Sequence, residues 1–216
     1  EGTKALSLEE FDIEVKNGAL ILDVRHQIEF VKGFIPKSWF IGIDGGFAPW
    51  VGSLIDDINQ KIVIICPEGR EEEVVKRLAR VGYDHAVGYL KGSFSTWKKA
   101  NRNIDTIPQE KAEETATNYF QGINVLDVRK SAEFSTEHIE NAQHYPLGDI
   151  FNHLEDVDAD KTYHVHCAGG YRSVIFISIL KSKGLHNLIN VLGGYEALRR
   201  TEVPKTDFVC PTINHY

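Results

Sequence analysis

The chain has 216 residues, 42% of them hydrophobic and 25% charged, with a formal net charge of -7. That length holds one large or two compact domains with substantial cores, and the acidic balance argues against a nucleic-acid partner, which calls for a basic field. Cys66, Cys167 and Cys210 form no close pair, which fits neither a disulfide framework nor a zinc cluster, and no run approaches the ~18 apolar residues of a membrane span.

A reducing cytoplasm is therefore the expected location, with no metal assigned. The chain opens at Glu1 and contains no methionine, and the expectation is a segment processed or excised from something longer.

In chain order, Ser7 and Glu10 have the spacing of a capping box for a helix over 7–16. Strands are expected at 20–24, 62–66 and 85–89, and helices at 71–81 and 94–100. The run Ile62-Val63-Ile64-Ile65 is almost continuously apolar, the pattern of a parallel strand covered on both faces. Between the first two strands, the glycine-rich and aromatic segment 42–54 reads as a loop with a short helical turn, an insertion that packs Phe47 and Trp50 onto the core. Residues 101–108 read as a linker. A helix over 109–118, strands at 124–128, 163–167 and 187–191, and a helix through 174–180 follow.

The second half repeats the first. Leu22-Asp23-Val24-Arg25 recurs as Leu126-Asp127-Val128-Arg129, Glu29-Phe30 as Glu133-Phe134, and Gly82 and Gly92 find partners in Gly184 and Gly194. The expectation is two α/β domains, 1–104 and 105–216, each a mainly parallel sheet flanked by helices.

The chemistry concentrates at Cys167-Ala168-Gly169-Gly170-Tyr171-Arg172-Ser173. A short buried strand, a glycine loop and a helix start in that order aim backbone N–H groups at a thiolate on Cys167. Gly169 and Gly170 allow positive φ around the sulfur. Arg172 offers a fork of donors to an oxyanion at the mouth, and Ser173 supports the first helical turn. A free cysteine alone is more often a small buried hydrophobe, but the company of two glycines and an arginine favours a nucleophile.

These residues resemble the active loop of the rhodanese family of sulfurtransferases. The resemblance extends upstream to 124–129, Ala132-Glu133-Phe134 and His138-Ile139, and downstream to Val191-Leu192-Gly193-Gly194-Tyr195. It implies a sulfane sulfur carried as a persulfide on Cys167, cradled by the amides from Ala168 through Ser173, with a small-molecule sulfur donor, a thiol or cyanide acceptor, and no cofactor in this chain. Four residues separate Cys167 from Arg172, where related cysteine phosphatases use five, so a phosphatase is disfavoured. The tandem pattern also resembles the tail of metallo-β-lactamase-fold fusion proteins of the persulfide dioxygenase type. That resemblance implies a fused metal-binding domain outside this chain.

In the first copy, matching Arg70 to Arg172 sets Ile65 against Cys167 and Cys66 one position late. With Pro67 removing an amide and Glu68, Glu71, Glu72 and Glu73 nearby, that copy is expected to be silent. Because Asp-x-Arg stands in both copies, Asp127 and Arg129 are expected to brace the fold rather than react. His138 is a further candidate near the site, and His164 and His166 flank the strand without a metal-ligand pattern. The rival reading is a non-catalytic docking module with a vestigial Cys167.

Overall fold

The computed structural model describes residues 2–210. The chain divides between Thr106 and Ile107, two residues beyond the expected boundary. The segment read as a linker is shared out: Asp105 exchanges backbone hydrogen bonds of 2.9 Å with Phe34 in the first unit, while the Pro108 carbonyl accepts from Asn190 N–H in the second.

The first unit runs β1 (Ala5–Leu6), α1 (Leu8–Lys16), β2 (Leu20–Asp23), α2 (Gln27–Lys32), β3 (Trp39–Phe40), α3 (Phe47–Leu54), β4 (Ile62–Ile65), α4 (Glu71–Ala79), β5 (Ala86–Leu90) and α5 (Ser93–Lys99). Its five strands lie in the order β1-β5-β4-β2-β3, and every pairing is parallel. All four residues of β4 are fully buried, as a central strand with helices on both faces requires. The capping box at α1 is present: Glu10 N–H donates to Ser7 Oγ at 3.2 Å and Ser7 N–H to Glu10 Oε2 at 2.8 Å.

The second unit repeats the plan. It runs β6 (Gln109–Lys111), α6 (Ala112–Tyr119), β7 (Asn124–Asp127), α7 (Ser131–Thr136), β8 (Gln143–His144), tight helical turns at Leu147–Asn152 and Leu154–Asp156, β9 (Tyr163–His166), α8 (Tyr171–Ser182), β10 (Leu188–Leu192) and α9 (Gly194–Leu198). The order β6-β10-β9-β7-β8 is again parallel throughout. Helix α8 is buried from Ser173 to Lys181, which explains why its sequence is apolar nearly all round instead of on one stripe.

Three expectations need correction. The helix over 109–118 starts later, because Gln109–Lys111 pairs with β10 as an edge strand before the chain turns into α6. Segment 42–54 holds a full helix, α3, which seats Phe47 in the core and leaves Trp50 half-buried.

The third correction concerns the first copy's cysteine. Ile65 pairs with Asp23 on the neighbouring strand as His166 pairs with Asp127, and Ile65 O accepts from Val24 N–H as His166 O accepts from Val128 N–H. Register therefore sets Cys66, not Ile65, in the place of Cys167. The positive-φ glycine then follows three residues on in both copies, Gly69 at φ 84° and Gly170 at φ 103°. Counting on from that shared glycine, Glu71 stands where the second unit has Arg172.

Candidate active site

Cys167 follows β9 at the carboxyl edge of the second sheet, where the open ends of parallel strands present their ligand-facing residues. Its side chain is buried. The Gly170 N–H donates to Sγ at 3.1 Å, and Ser173 Oγ lies 3.6 Å from the same sulfur. Gly170 reaches this position through its left-handed backbone, which a side chain would resist. Gly169 does not share it: it is exposed, and its φ lies outside the left-handed region, so only one of the two glycines does the work expected of both.

The loop is clamped from behind. Tyr195 N–H donates to Cys167 O at 2.7 Å and Glu196 N–H to Ala168 O at 3.0 Å, so the amides at the start of α9 hold the carbonyls of the Cys167 loop. Gly194 permits that approach, since a Cβ there would lie 2.6 Å from Ala168 O and closer still to Cys167 O. Tyr171 opens α8 half-buried beside the cradle.

Arg172 is engaged by a carboxylate. Its two terminal nitrogens meet Glu133 Oε2 and Oε1 at 2.6 and 2.8 Å, and this pairing pushes the guanidinium up and the Glu133 carboxyl down from their ordinary values. The expected donor fork is a loop anchor in this state.

Asp127 and Arg129 form the brace read from the sequence. Arg129 Nε and Nη2 donate to both Asp127 oxygens at 2.6 to 3.0 Å, Nη2 also donates to Glu137 O at 2.8 Å, and the guanidinium lies 3.8 Å from the Tyr195 ring centre. Tyr195 in turn donates to Glu137 Oε2 at 2.6 Å. Burial acts to raise the Asp127 carboxyl, but the neighbouring His166 and the Arg129 fork outweigh it and hold it below its ordinary value.

His166 lies fully buried between this brace and the loop. Its Nδ1 is 3.3 Å from Cys167 O, and Nε2 has no hydrogen-bond partner among the described residues, lying 3.8 Å from Asp127 Oδ2. Burial pushes the imidazole below its usual value. His138 serves packing instead: its ring stacks on Phe134 with centroids 3.6 Å apart, and Nδ1 sits 2.8 Å from Phe134 O. His164 Nδ1 pairs with Glu110 Oε2 at 2.8 Å. Among the described residues, no three His, Cys, Asp or Glu side chains converge as a metal site, and no described helix is long and apolar enough to cross a membrane.

The sequence profile of the rhodanese-like domain matches residues 7–100 and again 110–201. The chain belongs to the rhodanese-like domain family. It is 35% identical to the putative sulfurtransferase YtwF of Bacillus subtilis over 81 residues, 38% of this chain and 78% of that protein. Against the thiosulfate sulfurtransferase GlpE of Pseudomonas syringae it is 30% identical over 100 residues, 46% of this chain and 92% of the relative. It is 25% identical over 126 residues, 57% of its length, to the putative sulfur carrier protein YrkF of Bacillus subtilis, and that match spans 60% of the relative. A solved rhodanese-related protein of Thermoplasma volcanium superimposes with a TM-score of 0.42 at 28% identity, covering 46% of this chain and 97% of its own.

Within this rhodanese tandem the two cradles differ in charge. Cys66 is buried, and burial, then Glu71 and Asp23, push its thiol up to about 12. Arg70 is held by carboxylates, donating to Asp44 Oδ1 at 2.7 Å and to Glu73 at 2.8 and 3.0 Å. The match of Gly92 to Gly194 needs correction: Gly92 precedes α5 at φ 72° as Gly193 precedes α9 at φ 75°, so Ser93 takes the place of Gly194, in a left-handed conformation at φ 54°. The first rhodanese cradle thus keeps its cysteine but reverses the charge beside it.

Sequence reasoning named Cys167, Gly170 and Ser173, and the structure brings these three together. It missed the roles of Gly194 and Tyr195 as the clamp, of Glu133 as the partner of Arg172, and of His166 beneath the loop. The signal for the clamp was legible, since the Gly193-Gly194-Tyr195 turn stood out; only its contact with the loop was not.

Proposed function

We propose that the second rhodanese unit is a sulfurtransferase that carries sulfane sulfur as a persulfide on Cys167. The Cys167 thiolate attacks the outer sulfur of a donor, the donor's bond to that sulfur breaks, and the leaving group departs with the electron pair. An acceptor thiol or cyanide then attacks the terminal sulfur of the persulfide and regenerates the thiolate. The observation that carries this reading is the Gly170 N–H aimed at Sγ from 3.1 Å, at a loop that leads into the N-terminus of α8, where a helix start favours an anionic sulfur. Sulfurtransferase names among the relatives support the same chemistry.

The exchange as written needs only a thiolate, a sulfur donor and a nucleophilic acceptor, and the reading assigns no cofactor to this chain's residues. The first unit is silent in this reading, because a thiol held protonated by burial and by Glu71 is a poor nucleophile. A reducing cytoplasm would keep Cys167 in its thiol form between turnovers. The fused metallo-β-lactamase-fold domain rests on the resemblance of the tandem pattern alone.

Incubation with thiosulfate or glutathione persulfide followed by intact mass measurement tests the proposal. One added sulfur on the wild type and none on Cys167→Ser is the expected result. A wild type that gains no sulfur from either donor favours a docking module instead.

A further inference from the structure

Each of the two arginines set around the loop of the second unit is matched by its own carboxylate. Arg129 is held by Asp127, and Arg172 by both oxygens of Glu133. Glu133 is itself fixed, because its Oε2 also accepts the Lys130 N–H at 3.1 Å at the start of α7. The pair is partly buried, with Arg172 16% and Glu133 34% exposed along their side chains, so water screens it only in part. Among the described residues the first unit shows no such latch: Glu29, the counterpart of Glu133, pairs with Lys32 at 3.1 Å, and Glu71 stands in the place of Arg172.

We propose that Glu133 is a positioning and specificity-determining residue of the Cys167 site: by fixing and neutralising Arg172, it suits the cradle to organic persulfides and sets it against the thiosulfate dianion. This rests on the sulfur-transfer reading above. With an organic persulfide R–S–SH, the Cys167 thiolate attacks the terminal sulfur, the donor's S–S bond breaks, and RS⁻ leaves with the electron pair. This donor enters uncharged, the proton stays on the transferred sulfur, and the single negative charge of the thiolate leaves on RS⁻. With thiosulfate the same attack expels the sulfite dianion and leaves Cys167–S–S⁻, so the donor's two negative charges join that of the thiolate where the guanidinium is already neutralised. Such a dianion is served best by a free Arg fork.

The test compares kcat/KM for sulfur loading of the full chain by thiosulfate and by glutathione persulfide, whose charges lie away from its sulfurs. Glu133→Gln keeps an oxygen for the Lys130 N–H and frees the Arg172 charge. The expected result is a rise of about tenfold in the thiosulfate-to-persulfide ratio, carried mainly by a lower KM for thiosulfate, the scale of one unscreened charge near an anion. Glu133→Asp, which keeps the carboxylate, should return most of the wild-type ratio, and Glu29→Gln should leave it unchanged. Arg172→Gln leaves Glu133 unpaired and should move the ratio the opposite way, so the proposal stays testable if one variant is poorly folded. A ratio within twofold of wild type in both Glu133→Gln and Arg172→Gln overturns it, whether both donors slow together or neither does. A wild type that takes sulfur from neither donor overturns the transfer reading itself and this inference with it.

Discussion

Replacing Gly194 by alanine probes the clamp on the Cys167 loop without touching the sulfur. Gly194 sits at φ 57°, where an L side chain costs roughly 1–2 kcal/mol. The new Cβ would also meet Ala168 O at 2.6 Å and press on Cys167 O. Relief requires the loop and α9 to part, which weakens the hydrogen bonds from Tyr195 N–H and Glu196 N–H, each contributing about 1 kcal/mol. The second unit should therefore lose about 3–4 kcal/mol in urea denaturation, and sulfur loading of Cys167 should slow at least tenfold as Gly170 N–H moves off Sγ. Gly169→Ala is the counter-case. No neighbouring atom would lie within 4 Å of its Cβ, so stability should stay within ~0.5 kcal/mol of wild type. A Gly194→Ala protein that matches wild type in both stability and loading would refute the clamp.

Other perturbations separate the brace from the chemistry. Asp127→Asn leaves the buried Arg129 charge without its partner and should destabilise the second unit by roughly 3–5 kcal/mol, read as a lower urea midpoint. His166 has a folded-state pKa below its unfolded value because it is buried, so the unfolded chain takes up the proton first as pH falls. Its contribution to stability is complete above about pH 6.5 and declines below that, by up to ~1.4 kcal/mol per pH unit. His166→Gln should flatten the fall in denaturation midpoint between pH 6.5 and 5.5; an unchanged slope would show that other groups govern it. The depressed carboxyls of Asp127 and Glu133 act lower, their contribution present above about pH 4.5 and lost as pH falls through their folded values.

The parallel α/β plan was legible because β2, β4 and β7 are built on short apolar runs and β9 on the aromatic and β-branched Tyr163 and Val165, each ending in a recognisable turn. The edge strands were not: β1, β3 and β8 have two residues each and β6 three, too short for any periodicity to register. Helix α3 was hidden by the glycines before it. At the site, a nucleophile beside glycines can be read from local sequence, but the partner of Arg172 lies 39 positions away and only the fold brings it near. The misplacement of Cys66 has a physical cause as well. An Arg-to-Arg match is attractive by chemistry, yet strand pairing fixes which residue reaches the loop, and pairing aligns Cys66 with Cys167. The first cradle is thus distinguished by the charge around its thiol, with Glu71 in place of Arg172, and not by a missing cysteine.

The most direct measurement is to load the wild-type chain with a sulfane sulfur donor at neutral pH, block free thiols, and map the added sulfur by peptide mass spectrometry. The account predicts a persulfide on the Cys167 peptide, with Cys66 unmodified while the protein is native. Sulfur found on Cys66, or shared equally between Cys66 and Cys167, would contradict the assignment of one working cradle to the second unit.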